Sequence, residues 1–150
     1  MKLLIVEDDQ TKLFHLRQFI ASEYGEDIDI ATSYTSAINK LLEARYDMVL
    51  LDMTLPTFDA NSSQLPSDVR HFAGKEILRK MKRQKIFTPV VIVTGFSTFG
   101  EGYEKMDLNV LCEELRRDYP DIYIGAVSYS AAYTNWQSEI KAFIDTKMEI

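Results

Sequence analysis

The sequence predicts an α/β domain with five parallel strands in one sheet and helices on both faces. Two patterns in the 150 residues point to it. Short apolar runs, clearest at Met48-Val49-Leu50-Leu51 and Val90-Val91-Ile92-Val93, read as strands buried on both faces, as in a parallel sheet. Amphipathic stretches separate them, so the order strand-helix repeats five times, which implies a parallel sheet covered on both sides.

Residues 2–6 form the first expected strand, and Glu7-Asp8-Asp9 ends it. Residues 11–22 carry Leu13, Leu16, Phe19 and Ile20 at helical spacing, and Gly25 marks the break. Residues 28–31 alternate as a weaker second strand. Ser33 or Thr35 can cap a helix bearing Ala37, Ile38, Leu41 and Leu42. The third strand runs into Asp52 and a short loop closed by Pro56. Residues 57–72 show no period, contain Asn61-Ser62-Ser63 and Pro66, and read as a long loop. A helix over 74–83 turns Ile77, Leu78 and Met81 inward. The fourth strand ends at Thr94-Gly95, and a loop with Gly100 and Gly102 follows over 96–103. It lacks the lysine and hydroxyl of a phosphate loop. A helix over 106–119, a fifth strand over 122–129 and a last helix over 135–146 complete the chain, read as a single domain over 1–150.

Composition excludes several roles. The net charge of −6 disfavours direct contact with nucleic acid. The basic run Arg79 to Lys85 reads as a solvated helix end, where cations are favourable. Cys112 is the only cysteine, so no internal disulfide forms, and this fits a reducing cytoplasm. It sits in a helical pattern beside Leu111 and Leu115, a poor setting for a nucleophile. The first apolar run is too short for a signal peptide, and no stretch is long enough to span a membrane. His15 has no partner at ligand spacing and reads as a surface histidine. Phe96, Phe99, Tyr103, Tyr133 and Trp136 flank the last two strands, where they pack the rim or offer a partner face.

A parallel sheet brings all strand ends to one edge, so Glu7-Asp8-Asp9, Asp52 and Thr94 meet there. Clustered carboxylates are costly unless a cation joins them, and hard oxygen donors suit Mg²⁺. An aspartate so placed can act as a nucleophile and form an acyl phosphate. Thr94 could donate a hydrogen bond to a phosphoryl oxygen.

Four stretches carry a family resemblance. Leu3-Leu4-Ile5-Val6-Glu7-Asp8-Asp9 resembles the first strand and acidic pair of the receiver domains of two-component response regulators. Leu50 to Pro56 resembles the phosphoacceptor strand, Phe72 to Leu78 the start of the third helix, and Thr88 to Gly95 the strand with the switch hydroxyl. The resemblance implies a flavodoxin-like (βα)5 fold, doubly wound, with strand order 2-1-3-4-5. It implies that Asp52 accepts a phosphoryl group from a histidine kinase or histidine phosphotransfer protein. Asp8 would bind Mg²⁺ directly and Glu7 through water, with the backbone carbonyl of Thr54 completing the ligands beside Asp52. Thr94 would move toward the phosphoryl group, and an aromatic, Tyr129 or else Tyr123, would turn inward behind it. Such a domain is no enzyme beyond its own phosphorylation and dephosphorylation. It works in the cytoplasm on a downstream protein or output domain, off the membrane, with homodimerisation open to it.

Two departures stand out. The family ends its fifth strand with a lysine that pairs with the phosphoryl group, and no lysine lies between Lys105 and Lys141 here. A charge-assisted hydrogen bond contributes about 1.5–3 kcal/mol, so its loss costs about ten- to a hundredfold in phosphoryl stabilisation. The second departure is an insertion of about a dozen residues within 57–72, from which Arg70 or His71, or the nearby Lys75, could supply a substitute cation. Two alternatives follow. One is a degenerate receiver acting as a phosphorylation-independent interaction module. The other is a haloacid-dehalogenase-like phosphotransferase, against which stand the early position of the acidic triplet and the absence of a cap.

Overall fold

The computed structural model describes residues 1–60, 68–100, 102 and 105–148. The chain runs β1 (Leu3–Val6), α1 (Gln10–Tyr24), β2 (Ile28–Ala31), α2 (Tyr34–Glu43) and β3 (Met48–Leu51). Then come β4 (Leu55–Pro56), β5 (Val69–Arg70), α3 (Ala73–Arg83), β6 (Val90–Thr94), β7 (Thr98–Phe99) and β8 (Met106–Asp107). It closes with α4 (Leu108–Asp118), β9 (Tyr123–Ser128) and α5 (Asn135–Met148).

Five of these strands form a parallel sheet in the order β2-β1-β3-β6-β9, which is the expected 2-1-3-4-5 once the short strands are set aside. Side chains alternate across a strand, and both faces here are apolar. Leu4, Val6, Val49, Leu51, Val90 and Ile92 face α2, α3 and α4. Leu3, Ile5, Met48, Leu50, Val91 and Val93 face α1 and α5, against Leu16, Ile20, Trp136, Ile140 and Ile144. Near-continuous apolar strands are the consequence of this double burial.

Two expected loops are partly ordered by backbone pairing. The ends of the 57–72 stretch close as an antiparallel pair, Leu55 with Arg70 and Pro56 with Val69, and Thr57 N–H donates to the Asp68 carbonyl at 3.0 Å. Asn61, Ser62, Ser63 and Pro66 lie outside the described residues, as does Tyr103. Residues Thr98–Phe99 pair with Met106–Asp107, so α4 starts at Leu108 rather than at 106. Asp107 ends the short strand and caps the helix, its carboxylate accepting from Val110 N–H at 2.9 Å.

Gly74 sets how closely α3 approaches the site. A Cβ there would lie 3.1 Å from the Asp52 carbonyl oxygen and 3.1 Å from Met53 Cα. Gly74 N–H donates to the Met53 carbonyl at 2.9 Å, pinning the loop after β3 to the helix.

Candidate functional site

The sheet order reverses between β1 and β3, the position where open α/β sheets bind ligands at their carboxyl edge. Register puts two carboxylates side by side there. Val6 pairs with Leu51, so Glu7 and Asp52 leave the sheet at the same level, and Asp52 N–H donates to the Val6 carbonyl at 3.0 Å. Leu51 pairs with Ile92, which sets Val93 level with Asp52 and Thr94 one residue beyond. A cleft of ≈ 680 Å³ opens over this edge, walled by Glu7, Asp8, Asp52, Thr54, Phe96 and Tyr129, among others.

The predicted acids converge. Glu7, Asp8 and Asp52 each present a carboxylate oxygen within 4.8 Å of the others, with Glu7 and Asp52 buried and Asp8 exposed. Glu7 Oε2 accepts the N–H groups of Asp8 and Asp9, both at 3.1 Å, and Asp52 Oδ1 accepts Met53 N–H at 2.8 Å. Glu7 Oε1 is buried, and the partner it meets is a cation, the ammonium of Lys12. An all-oxygen cluster of three carboxylates fits a hard divalent ion. Burial pushes the Glu7 carboxyl up to about 7, the Asp52 charge pushes the same way, and Lys12 opposes both. Burial likewise raises Asp52, against the pull of Lys12, and raises Asp8, with Glu7 adding to it.

Lys12 is the residue that sequence reasoning missed. It lies in the first turn of α1, is 5% exposed, and reaches across the strand ends. Its Nζ pairs with Glu7 Oε1, donates to the Val93 carbonyl at 2.7 Å and stands 3.4 Å from Asp52 Oδ1. Among the described residues it is the only lysine or arginine lining the cleft. A signal did exist in the sequence. The buried stripe of α1 is Lys12, Leu16 and Ile20, spaced by four, so a lysine occupies a core-facing position of an apolar stripe.

The expected substitute cations are committed elsewhere. Arg70 donates to Glu76 Oε1 at 3.0 Å and to Thr57 Oγ1 at 3.1 Å, and stacks 4.5 Å over the Tyr34 ring. Lys75 pairs with Glu114. The His71 carbonyl accepts from Thr54 Oγ1 at 3.1 Å, and the cleft wall does not include His71.

Thr94 is fully buried, and its hydroxyl accepts Phe96 N–H at 3.0 Å. Its carbonyl accepts Tyr129 N–H at 2.8 Å. Tyr129 stands on the cleft wall just past β9, and its hydroxyl shares a 2.6 Å hydrogen bond with His15 Nδ1. His15 is therefore half-buried and partnered rather than a free surface group. Tyr123 opens β9 opposite Val90, at the far end of the strand from the cleft. Of the flanking aromatics, Phe99 and Trp136 are buried while Phe96 and Tyr133 are exposed.

The comparisons agree with this geometry. The family model for the response regulator receiver domain matches residues 3–111, which takes in β1 through the start of α4. The chain belongs to that family. It is 34% identical over 143 residues to the uncharacterized protein y4jR of Sinorhizobium fredii, covering 94% of this chain and 95% of that one. It is 32% identical to the Detocs response regulatory protein DtcB of Enterobacter cloacae, covering 93% and 95%. Among solved structures it resembles the receiver domain of sensor histidine kinase PA1611 from Pseudomonas aeruginosa, which has a magnesium ion coordinated in its active-site cleft. That match has a TM-score of 0.60 and 15% identity, covers 99% of this chain and 98% of that one, and shows the fold. Membership in the receiver family replaces the phosphotransferase alternative. No helix among the described residues is long and apolar enough to cross a membrane.

Proposed function

We propose that this receiver domain accepts a phosphoryl group on Asp52 from the phosphohistidine of a histidine kinase or phosphotransfer protein. The carrying observation is the oxygen cluster of Glu7, Asp8 and Asp52, with Asp52 at the base of an open cleft. In the transfer a carboxylate oxygen of Asp52 forms the new P–O bond. The P–N bond breaks, and its electron pair stays on the departing imidazole. Glu7, Asp8, Asp52 and the Thr54 carbonyl would hold Mg²⁺, in keeping with the magnesium in the cleft of the PA1611 domain. Bound there, the ion would neutralise charge building on the phosphoryl oxygens.

The chain's own residues supply the rest. Backbone N–H groups of Asp8 and Asp9 fix Glu7, and Met53 N–H fixes Asp52, so the acids are oriented before a ligand arrives. Thr94 would rotate its hydroxyl from Phe96 N–H toward the phosphoryl group, loosening the segment from Gly95 to Phe99. Tyr129, hydrogen-bonded through its N–H to the Thr94 carbonyl, would respond to that change. The output is a shifted surface read by a downstream protein, in a cytoplasmic setting, and not turnover of a substrate.

Intact mass after incubation with Mg²⁺ and a small phosphodonor tests this reading. One added phosphoryl group in the wild type and none in Asp52→Asn is the expected result. An unmodified wild type that still binds Mg²⁺ would instead make the chain a phosphorylation-independent interaction module.

A further inference from the structure

We propose that Lys12 is the phosphoryl-binding cation of this domain, supplied by α1 in place of the lysine that receiver domains carry on their last strand. The inference rests on the reading of Asp52 as phosphoacceptor. An ammonium has three donors. Those of Lys12 face Glu7 Oε1, the Val93 carbonyl at 2.7 Å and Asp52 Oδ1 at 3.4 Å. The last separation exceeds the 2.7–2.9 Å usual for a charge-assisted hydrogen bond. It leaves the ammonium near the carboxylate without a close bond to it. A phosphoryl group on Asp52 extends that side chain by a phosphorus and three oxygens, which brings acceptors toward Nζ while α1 stays in place.

Helix preference does not account for the position. Lys12 sits in the first turn of α1, three residues after the Asp9 cap, where the helix dipole disfavours a cation. It is buried besides, and burying a charge is costly without partners. Among the described residues the opposite wall of the cleft offers no cation, since β9 ends Val127-Ser128 and continues Tyr129-Ser130-Ala131. Arg70 and Lys75 are held by Glu76 and Glu114. Charge also balances. Glu7, Asp8 and Asp52 bring three negative charges and Lys12 one positive, a net of two that a divalent ion cancels. When that ion engages Glu7, the Lys12 donor facing Oε1 becomes available to the phosphoryl oxygens. The cation then rides on α1, whose His15, nearly one turn on, is bonded to Tyr129.

The test uses the full chain labelled at the lysine ε position and followed by NMR, with the Lys12 signal assigned from its loss in Lys12→Met. Mg²⁺ is added first and beryllofluoride second. The Lys12 signal should shift with beryllofluoride beyond its position with Mg²⁺ alone. In parallel, the acyl phosphate of Lys12→Met should be about ten- to a hundredfold shorter-lived than that of the wild type. Lys12→Arg, which keeps the charge, should recover part of that lifetime. A phosphorylated wild type whose Lys12 signal does not move with beryllofluoride, with Lys12→Met holding phosphate equally long, overturns the inference and leaves Asp52 as acceptor. A wild type that never takes a phosphoryl group overturns both. Should Lys12→Met fail to fold, the wild-type signal and Lys12→Arg decide.

Discussion

Two sets of cations lie close in sequence to the residues of the cleft, and the two behave differently. The insertion side brings Arg70 and the start of α3 brings Lys75, both partly exposed and paired with glutamates at the surface. The β1–α1 junction brings Lys12, buried between two carboxylates and a strand-end carbonyl. Partly exposed pairs contribute about 0–1 kcal/mol each, whereas breaking a buried pair by removing one partner costs about 3–5 kcal/mol. Closeness in sequence to the loop after Asp52 therefore says little about which cation reaches that carboxylate. What decides is which side chain the helix stripe points into the strand ends.

The two sides should differ most in the metal-free protein. Lys12→Met at pH 8 should lose about 3–5 kcal/mol in urea unfolding, with Glu7 and Asp52 left as buried anions. Mg²⁺ should restore much of that loss. Gly74→Ala comes next. Its methyl group would press on the Asp52–Met53 backbone, with an expected cost of about 1–3 kcal/mol and weakened Mg²⁺ binding. Lys75→Ala should change stability by less than about 1 kcal/mol and leave phosphate uptake unaltered. A large loss there would return the α3 cation to contention.

The buried carboxylates beside Lys12 should also make stability depend on pH. The folded protein holds Glu7 near 7, above its ordinary 4.5, so between those values the native state binds more protons than the unfolded chain. Stability of the metal-free protein should therefore fall as pH rises from about 4.5 to about 7, and level off above. The raised carboxyls of Asp8 and Asp52 act in the same direction. Saturating Mg²⁺ should flatten the slope, because the ion replaces the protons.

Most of the fold was legible because burial on both faces leaves uninterrupted apolar strands such as Val90 to Val93. The acidic cluster was legible too, because parallel strands must end on one edge. Pairing of Leu55–Pro56 with Val69–Arg70 was not legible, since two-residue ribbons carry no period. Lys12 escaped for a different reason. Leu13, Leu16, Phe19 and Ile20 carry the apolar period of the helix, yet its buried stripe is Lys12, Leu16 and Ile20. Counting only apolar residues hides a charge that lies in line with them. His15 escaped because its partner Tyr129 is 114 residues away.

The most direct measurement is a crystal structure of the full chain with Mg²⁺ and beryllofluoride at Asp52. The Lys12 ammonium should lie within about 3.2 Å of a fluoride, with its contact to Glu7 given up. Lys12 still held by Glu7 and the Val93 carbonyl, with the fluorides contacted by another cation, would contradict it.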